Sequence, residues 1–199
     1  MPSKGTVRRG PAAKAFRAER VVRAARKLAS AGGYDAVQMR EVAKNADVAL
    51  VTLYRYYPSK DDLILAMLYA DLAILRQQVL EGQAQQGTPR ERVTAVYVHV
   101  FRAMTRDRGY THASMSRYHT PRAFDAEPTQ DDTQVRTAFV DIVALAAWGP
   151  DHEKTESEFM ALHVLESLLQ NCLVSWLDSG MPPDFFERRL IFAAEHLLS

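Results

Sequence analysis

Apolar positions along this chain recur every three to four residues. From Ala12 to Ala31, Val21, Ala24, Ala25 and Leu28 share one face, while Arg20, Arg23 and Lys27 share the opposite one. That spacing predicts an amphipathic helix, which the pair Gly32–Gly33 should end. A short helix from Met39 to Ala46 follows, with Val42 and Ala43 inward. Asp47 then marks a turn, since aspartate tolerates the left-handed conformation, though less readily than glycine. A second short helix runs from Leu50 to Tyr56 and stops before Pro58, whose ring disfavours helical backbone at Tyr57. Ser59 caps a long helix, with Asp62 three residues on to complement its amino end. Its stripe of Leu63, Ala66, Met67 and Ala70 predicts a helix reaching about Gln86.

The same periodicity predicts helices over Arg90–Arg106, Tyr110–Arg117, Val135–Trp148, Glu156–Asp178 and Asp184–Leu198. Polar, proline-bearing Thr120–Asp131 reads as a loop or broken helix. No Asn-Gly or Asp-Gly hairpin turn and no long alternation argues for a strand. The expected fold class is all-α, a three-helix helix-turn-helix domain joined to a larger helical one. The expected boundaries are 1–60 for the arm and first domain and 61–199 for the second, handing over inside the helix that starts at Ser59.

Charge sharpens this division. Residues 1–60 carry 13 Lys and Arg against 4 Asp and Glu, a net +9, whereas residues 61–199 carry 12 against 20, a net −8. Such asymmetry points to a polyanion-binding end. No stretch of 18 apolar residues lacks a charge, so no membrane span is expected. The basic start has no apolar segment after it, so no secretory signal is expected either. The single Cys172 excludes an intrachain disulfide and a cysteine-rich zinc site, and suits a reducing, cytoplasmic setting.

Two short helices joined by a turn of three or four residues describe a helix-turn-helix, whose second helix enters the major groove. Leu50–Tyr56 is then the recognition helix, and its aromatic-rich end divides by face. Leu53 and Tyr57 pack inward, Thr52 and Tyr56 reach the groove and phosphates, and Tyr54 fits either side. Lys60 lies at the start of the next helix, where free amides also attract phosphate. The stretch GYDAVQMREVAKNADVALVTLYRYYPSKDDL, residues 33–63, resembles the DNA-binding signature of the TetR family of bacterial transcriptional repressors. The likeness covers roughly residues 15–65, and the helical layout fits the family throughout.

The resemblance implies DNA contacts residue by residue. Gln38 stands where the family usually has a capping threonine, and Arg40 matches a frequent base or phosphate contact. Ala49 replaces a common capping serine, and Asp47 replaces the usual turn glycine. Leu50, Val51 and Thr52 occupy the variable groove-facing start, while Tyr54, Tyr56 and Lys60 match phosphate-clamping positions. Apolar Leu50 and Val51 imply readout through thymine methyl groups, with Arg40 and Thr52 supplying hydrogen bonds. The arm from Lys4 to Lys14 either follows a groove or serves as a solubilising tail.

The family's C-terminal part holds an effector pocket and a dimer interface. The helix from Glu156 to Asp178 is apolar on more than one face, which suggests burial against a partner chain. The expected homodimer interface uses Leu162, Leu165, Leu169 and Cys172, with Phe186, Leu190, Ala193 and Leu197 on the last helix. Expected pocket residues are Met67, Leu72, Phe101, Met104, Met115, Tyr118, Phe139, Ile142 and Trp176, a large apolar set with few polar groups. A closer likeness, in GYDAVQMREVA, ADVA and TLYRY with a weaker echo in residues 104–128, is to actinobacterial repressors of steroid and cholesterol catabolism. It implies a steroid coenzyme A thioester as effector, with Arg106, Arg108 or Arg117 meeting its phosphates at the mouth. Two-fold symmetry of the dimer would match a palindromic operator, released when the effector tilts the long fourth helix.

Enzymatic chemistry finds no motif here. The six histidines, at 99, 112, 119, 152, 163 and 196, form no His-Glu-x-x-His pair, and no nucleophile elbow or glycine-rich phosphate loop occurs. Neither a catalytic role nor a metal or cofactor is expected. A carrier of lipid or steroid that ignores DNA is the other alternative, and the basic first 60 residues count against it.

Overall fold

The computed structural model describes residues 11–82, 86–119 and 130–198, without the side chains of residues 11–15, 117–119 and 130–132. Among the described residues there are nine helices and no strands: α1 (Pro11–Ala36), α2 (Met39–Asn45), α3 (Leu50–Tyr56), α4 (Lys60–Leu80), α5 (Pro89–Thr105), α6 (Arg108–His119), α7 (Gln130–Trp148), α8 (Glu156–Ser179) and α9 (Pro183–Leu197). The regular part of α1 ends where expected, because Gly32 and Gly33 leave helical geometry and Gly33 takes φ 69°. The arm from Lys4 to Lys14 lies outside the residues whose side chains are described.

Side-chain caps account for several of the helix starts, including those of α4 and α8, which fall where expected. The Ser59–Asp62 box starts α4 as expected, with the Asp62 amide 3.1 Å from the serine hydroxyl. The same reciprocal arrangement, Thr88 with Glu91 and Thr155 with Glu158, starts α5 and α8. α6 begins two residues early because the Asp107 carboxylate accepts from the Tyr110 amide at 2.8 Å. α4 stops at Leu80, short of Gln86, as Gly82 turns left-handed at φ 84°. α7 begins at Gln130, so the expected loop gives up its last two residues to that helix, and its remainder lies outside the described residues.

Two apolar cores result. The smaller gathers Val21, Ala25, Ala29, Val37, Val42, Leu53 and Leu63 from α1–α4, and also Tyr110 and Ala113 from α6. The larger joins α4–α9 around Tyr97, Phe101, Val143, Leu162, Leu165 and Leu190. α4 serves both: Leu63 and Met67 enter the first, Leu75 and Val79 the second. By length and composition α4 is apolar enough to cross a membrane, but four of its six buried apolar residues, Leu63, Met67, Leu75 and Val79, pack into these two cores.

The α1–α6 seam is tight. Gly109 lies where an added Cβ would come within 2.6 Å of the Ala29 and Ser30 carbonyl oxygens. The Tyr34 amide donates to His112 Nδ1 at 3.3 Å, and the Ser30 hydroxyl to Asp107.

Candidate nucleic-acid interface and effector cavity

The turn between α2 and α3 is built around Asp47, at φ 49° the only described non-glycine residue with positive φ. Its conformation is held from α1. Arg20 donates through Nε to the Ala46 carbonyl at 2.9 Å, and its guanidinium also reaches the Asp47 carbonyl at 2.8 Å and the Asp47 carboxylate at 3.1 Å. Arg20 thus works as a clamp inside the domain, a role its place on the polar face of α1 conceals. The far end of α3 is seated by Leu53, buried, and Tyr57, half-buried, as expected. Burial pushes the Tyr57 hydroxyl pKa up.

With those anchors inward, the expected DNA-reading side chains reach solvent. Gln38, Arg40, Ala49, Val51, Tyr54 and Tyr56 are exposed, Val51 at 78 %, while Leu50, Thr52 and Lys60 are half-buried. Tyr54 takes the outward side. Neither Gln38 nor Ala49 gives its helix a side-chain cap, so the first amides of α2 and α3 keep no such partner. The Arg55 guanidinium lies over the Tyr56 ring, 5.1 Å from Cζ to centroid. Lys60 Nζ stands 3.8 Å from the centre of the Tyr34 ring and donates to the Tyr34 carbonyl at 3.2 Å. Tyr34 in turn donates its hydroxyl to Asp61 at 2.8 Å, tying the end of α1 to the start of α4.

Between α4, α5, α6, α7 and α8 lies a cavity of about 330 Å³. Four of the nine expected residues line it: Leu72, Met104, Met115 and Phe139. Met67 is instead packed in the smaller core, and Phe101, Ile142 and Trp176 in the larger, because their helix faces turn toward neighbouring helices rather than the space between them. The Tyr118 side chain lies outside the described residues.

The lining is also more polar than expected. Arg26, Asp71 and Tyr110 form one group: Asp71 accepts from the Arg26 guanidinium with one oxygen and from the Tyr110 hydroxyl with the other, and Arg26 Cζ sits 4.6 Å from the Tyr110 ring centre. Burial, and then the Asp71 carboxylate, push the Tyr110 pKa up, so the hydroxyl stays protonated as donor. Arg136, Glu166 and Gln170 form another. The arginines expected at the mouth are placed elsewhere. Arg108 donates to the Leu177 carbonyl and lies over Trp176, at 5.3 Å, Arg106 is exposed away from the lining, and the side chain of Arg117 is outside the described residues. Arg26 and Arg136 are the cationic groups that reach the cavity.

Six of the eight expected interface residues need correction, while Ala193 is half-buried and Leu197 is exposed. Leu162, Leu165, Leu169, Cys172, Phe186 and Leu190 are buried in the chain's own larger core, and Ala193 packs against it. A helix apolar all round satisfies one face internally. Exposed apolar side chains remain on both helices: Phe159, Met160 and Val164 on α8 and Phe185, Phe192 and Leu197 on α9, with Phe192 at 63 %. Leu168, Phe185, Arg188, Arg189, Phe192 and Ala193 line a shallow groove there.

Residues 21–67 match the family described as bacterial regulatory proteins, tetR family. Across 186 residues the chain is 35% identical to the HTH-type transcriptional repressor KstR of Rhodococcus jostii, covering 92% of this chain and 82% of that one. It is 31% identical to KstR of Mycobacterium tuberculosis over 189 residues, covering 95% and 84%. A TetR transcriptional regulator from Rhodococcus sp. RHA1 superposes with TM-score 0.75 at 29% identity, over 93% of this chain and 96% of that one. The Thermus thermophilus repressor FadR, solved with lauroyl-CoA, shares the fold at TM-score 0.68 and 19% identity, over 92% and 95%.

Proposed function

Because the chain belongs to the tetR family of bacterial regulatory proteins and is a transcriptional repressor of that family, we propose that it holds a palindromic operator as a homodimer and releases it when an apolar effector fills the α4–α8 cavity. Residues 1–60 form the DNA-binding part and residues 61–199 the effector-binding and dimerising part. The work is binding in the cytoplasm, with no catalysis, metal or cofactor. A lipid carrier would have no use for a +9 amino-terminal region with an exposed α3.

One observation carries the ligand response. Arg26, Asp71 and Tyr110 line the cavity and at the same time fasten α1 to α4 and α6. An effector that competes for any of them loosens the attachment of the helix that clamps the α2–α3 turn. The exposed face of α8 and α9 brings two subunits together, and each offers α3 to a major groove about 34–36 Å from the other. Arg40 and Thr52 donate to base edges, Leu50 and Val51 meet thymine methyls, and Gln38, Tyr54, Tyr56 and Lys60 meet phosphates, with the bare α3 amino end at Ala49 adding backbone amides. By linkage, the operator weakens effector binding by the same factor.

The likeness of residues 33–56 to steroid-catabolism repressors nominates a steroid coenzyme A thioester. The mostly apolar lining suits a steroid body, and the charged nucleotide portion is left at the opening. The test is fluorescence anisotropy on operator selected from random DNA, with a steroid coenzyme A thioester, free coenzyme A and free sterol titrated in turn. Release by the thioester alone is expected. Palindromic binding that none of the three disturbs would keep the repressor and discard the steroid, and failure to select any DNA would overturn the reading.

A further inference from the structure

Glu166 is the sole Asp, Glu, Lys or Arg between Phe159 and Leu177 of α8, and it lies on the cavity wall at 3% exposure. Its Oε2 accepts from Arg136 Nε of α7 at 2.8 Å, and its Oε1 accepts from the Gln170 amide. Arg136 also donates to the Ser167 hydroxyl at 3.0 Å. Burial raises the Glu166 pKa, against the pull of Arg136 and Gln170. Arg136 is half-buried, and replacing a largely buried ion pair with apolar groups of like volume is often neutral or stabilising, so packing gives no reason for it here. A cavity for a plain saturated chain would be better lined without it. What the group offers is recognition: the carboxylate accepts a hydrogen bond, while the guanidinium and amide donate one.

We propose that Glu166, Arg136 and Gln170 select an effector whose apolar body carries a hydroxyl, donating to Glu166 and accepting from Arg136 or Gln170. The inference rests on the effector-cavity reading and narrows it: an unsubstituted fatty acyl chain leaves these polar atoms facing hydrocarbon, whereas an alcohol pairs with them. A site built around a hydroxyl rejects the analogue that lacks one far more strongly than an apolar pocket rejects a lost methylene.

The experiment compares cholestanol with cholestane, which differ by one hydroxyl, delivered in cyclodextrin to the full chain and followed by intrinsic tryptophan fluorescence. The wild-type chain should bind the alcohol at least about tenfold more tightly. The double variant Glu166→Met, Arg136→Met should bind both alike, with the alcohol's advantage gone. Glu166→Gln should keep part of it, since an amide oxygen still accepts. Equal binding of the two probes by the wild type, binding of neither, or an undiminished preference in the double variant would overturn the assignment. Operator binding by the effector-free protein is measured alongside. If it persists while the alcohol is not preferred, the inference falls and the repressor stands; if it is absent, the repressor reading itself falls.

Discussion

Gly109 shows how much one missing side chain can decide. Its Cα sits against the carbonyl oxygens of Ala29 and Ser30, rigid backbone that cannot swing aside as a flexible side chain would. Gly109→Ala should therefore part α1 from α6 and destabilise the protein by about 1–3 kcal/mol, the usual range for overpacking. Urea unfolding of the variant checks this, and a midpoint equal to that of the wild type would mean the seam is looser than it looks. The lone charges Asp71 and Glu166 are residue-scale signals of another kind. Each stands by itself in an apolar stretch of helix, Asp71 between Leu63 and Leu75 and Glu166 between Phe159 and Leu177. A charge in such a place is rarely buried without partners. Those partners are not legible locally, because Arg26 lies 45 residues from Asp71 and Arg136 lies 30 from Glu166.

Among the elements, helix existence and order follow from periodicity, as do the burial of Leu53 and the exposure of Val51 on α3, although Leu50, expected at the exposed start, packs partly against the smaller core. Starts are harder to read, since they depend on which hydroxyl or carboxylate happens to reach a free amide. Thr88, Asp107 and Thr155 each do so; α8 starts at Glu156 as expected, while α5 and α6 start one and two residues before their expected places. The Ser59 box has a consequence of its own. It fixes the first turn of α4 beside Lys60 and the Tyr34–Asp61 bond. Ser59→Ala should cost about 1 kcal/mol of stability, the typical value for a lost cap, readable as a lower urea midpoint with unchanged slope. The faces of α8 are the clearest misreading. Spacing alone shows that several faces are apolar, and only the packed chain shows which is taken by its own core.

At the scale of the whole molecule, the exposed apolar band on α8 and α9 is what remains after the single chain has folded. Phe192 lies within it, stacked on His196 with ring centres 4.1 Å apart. Phe192→Glu should leave the chain folded, since the side chain is mostly in solvent, yet separate the subunits. Sedimentation would then show monomer, and operator affinity would drop because two half-sites are no longer held together. A dimer that survives the charge would place the interface on another face.

The length of α4 has a bearing on scale that its packing does not reveal. Rooted by Leu63 and Met67 in one core and by Leu75 and Val79 in the other, it is a rod common to both. At 1.5 Å per residue, its 21 residues span roughly 30 Å, so a tilt of about 5° carries one end roughly 3 Å relative to the other. That is close to the rise of about 3.4 Å between successive base pairs. If the rod pivots at its middle, a cavity wall pushed aside by about 1.4 Å at one end carries the other end about as far the opposite way, roughly 40% of a base-pair step out of register with its groove.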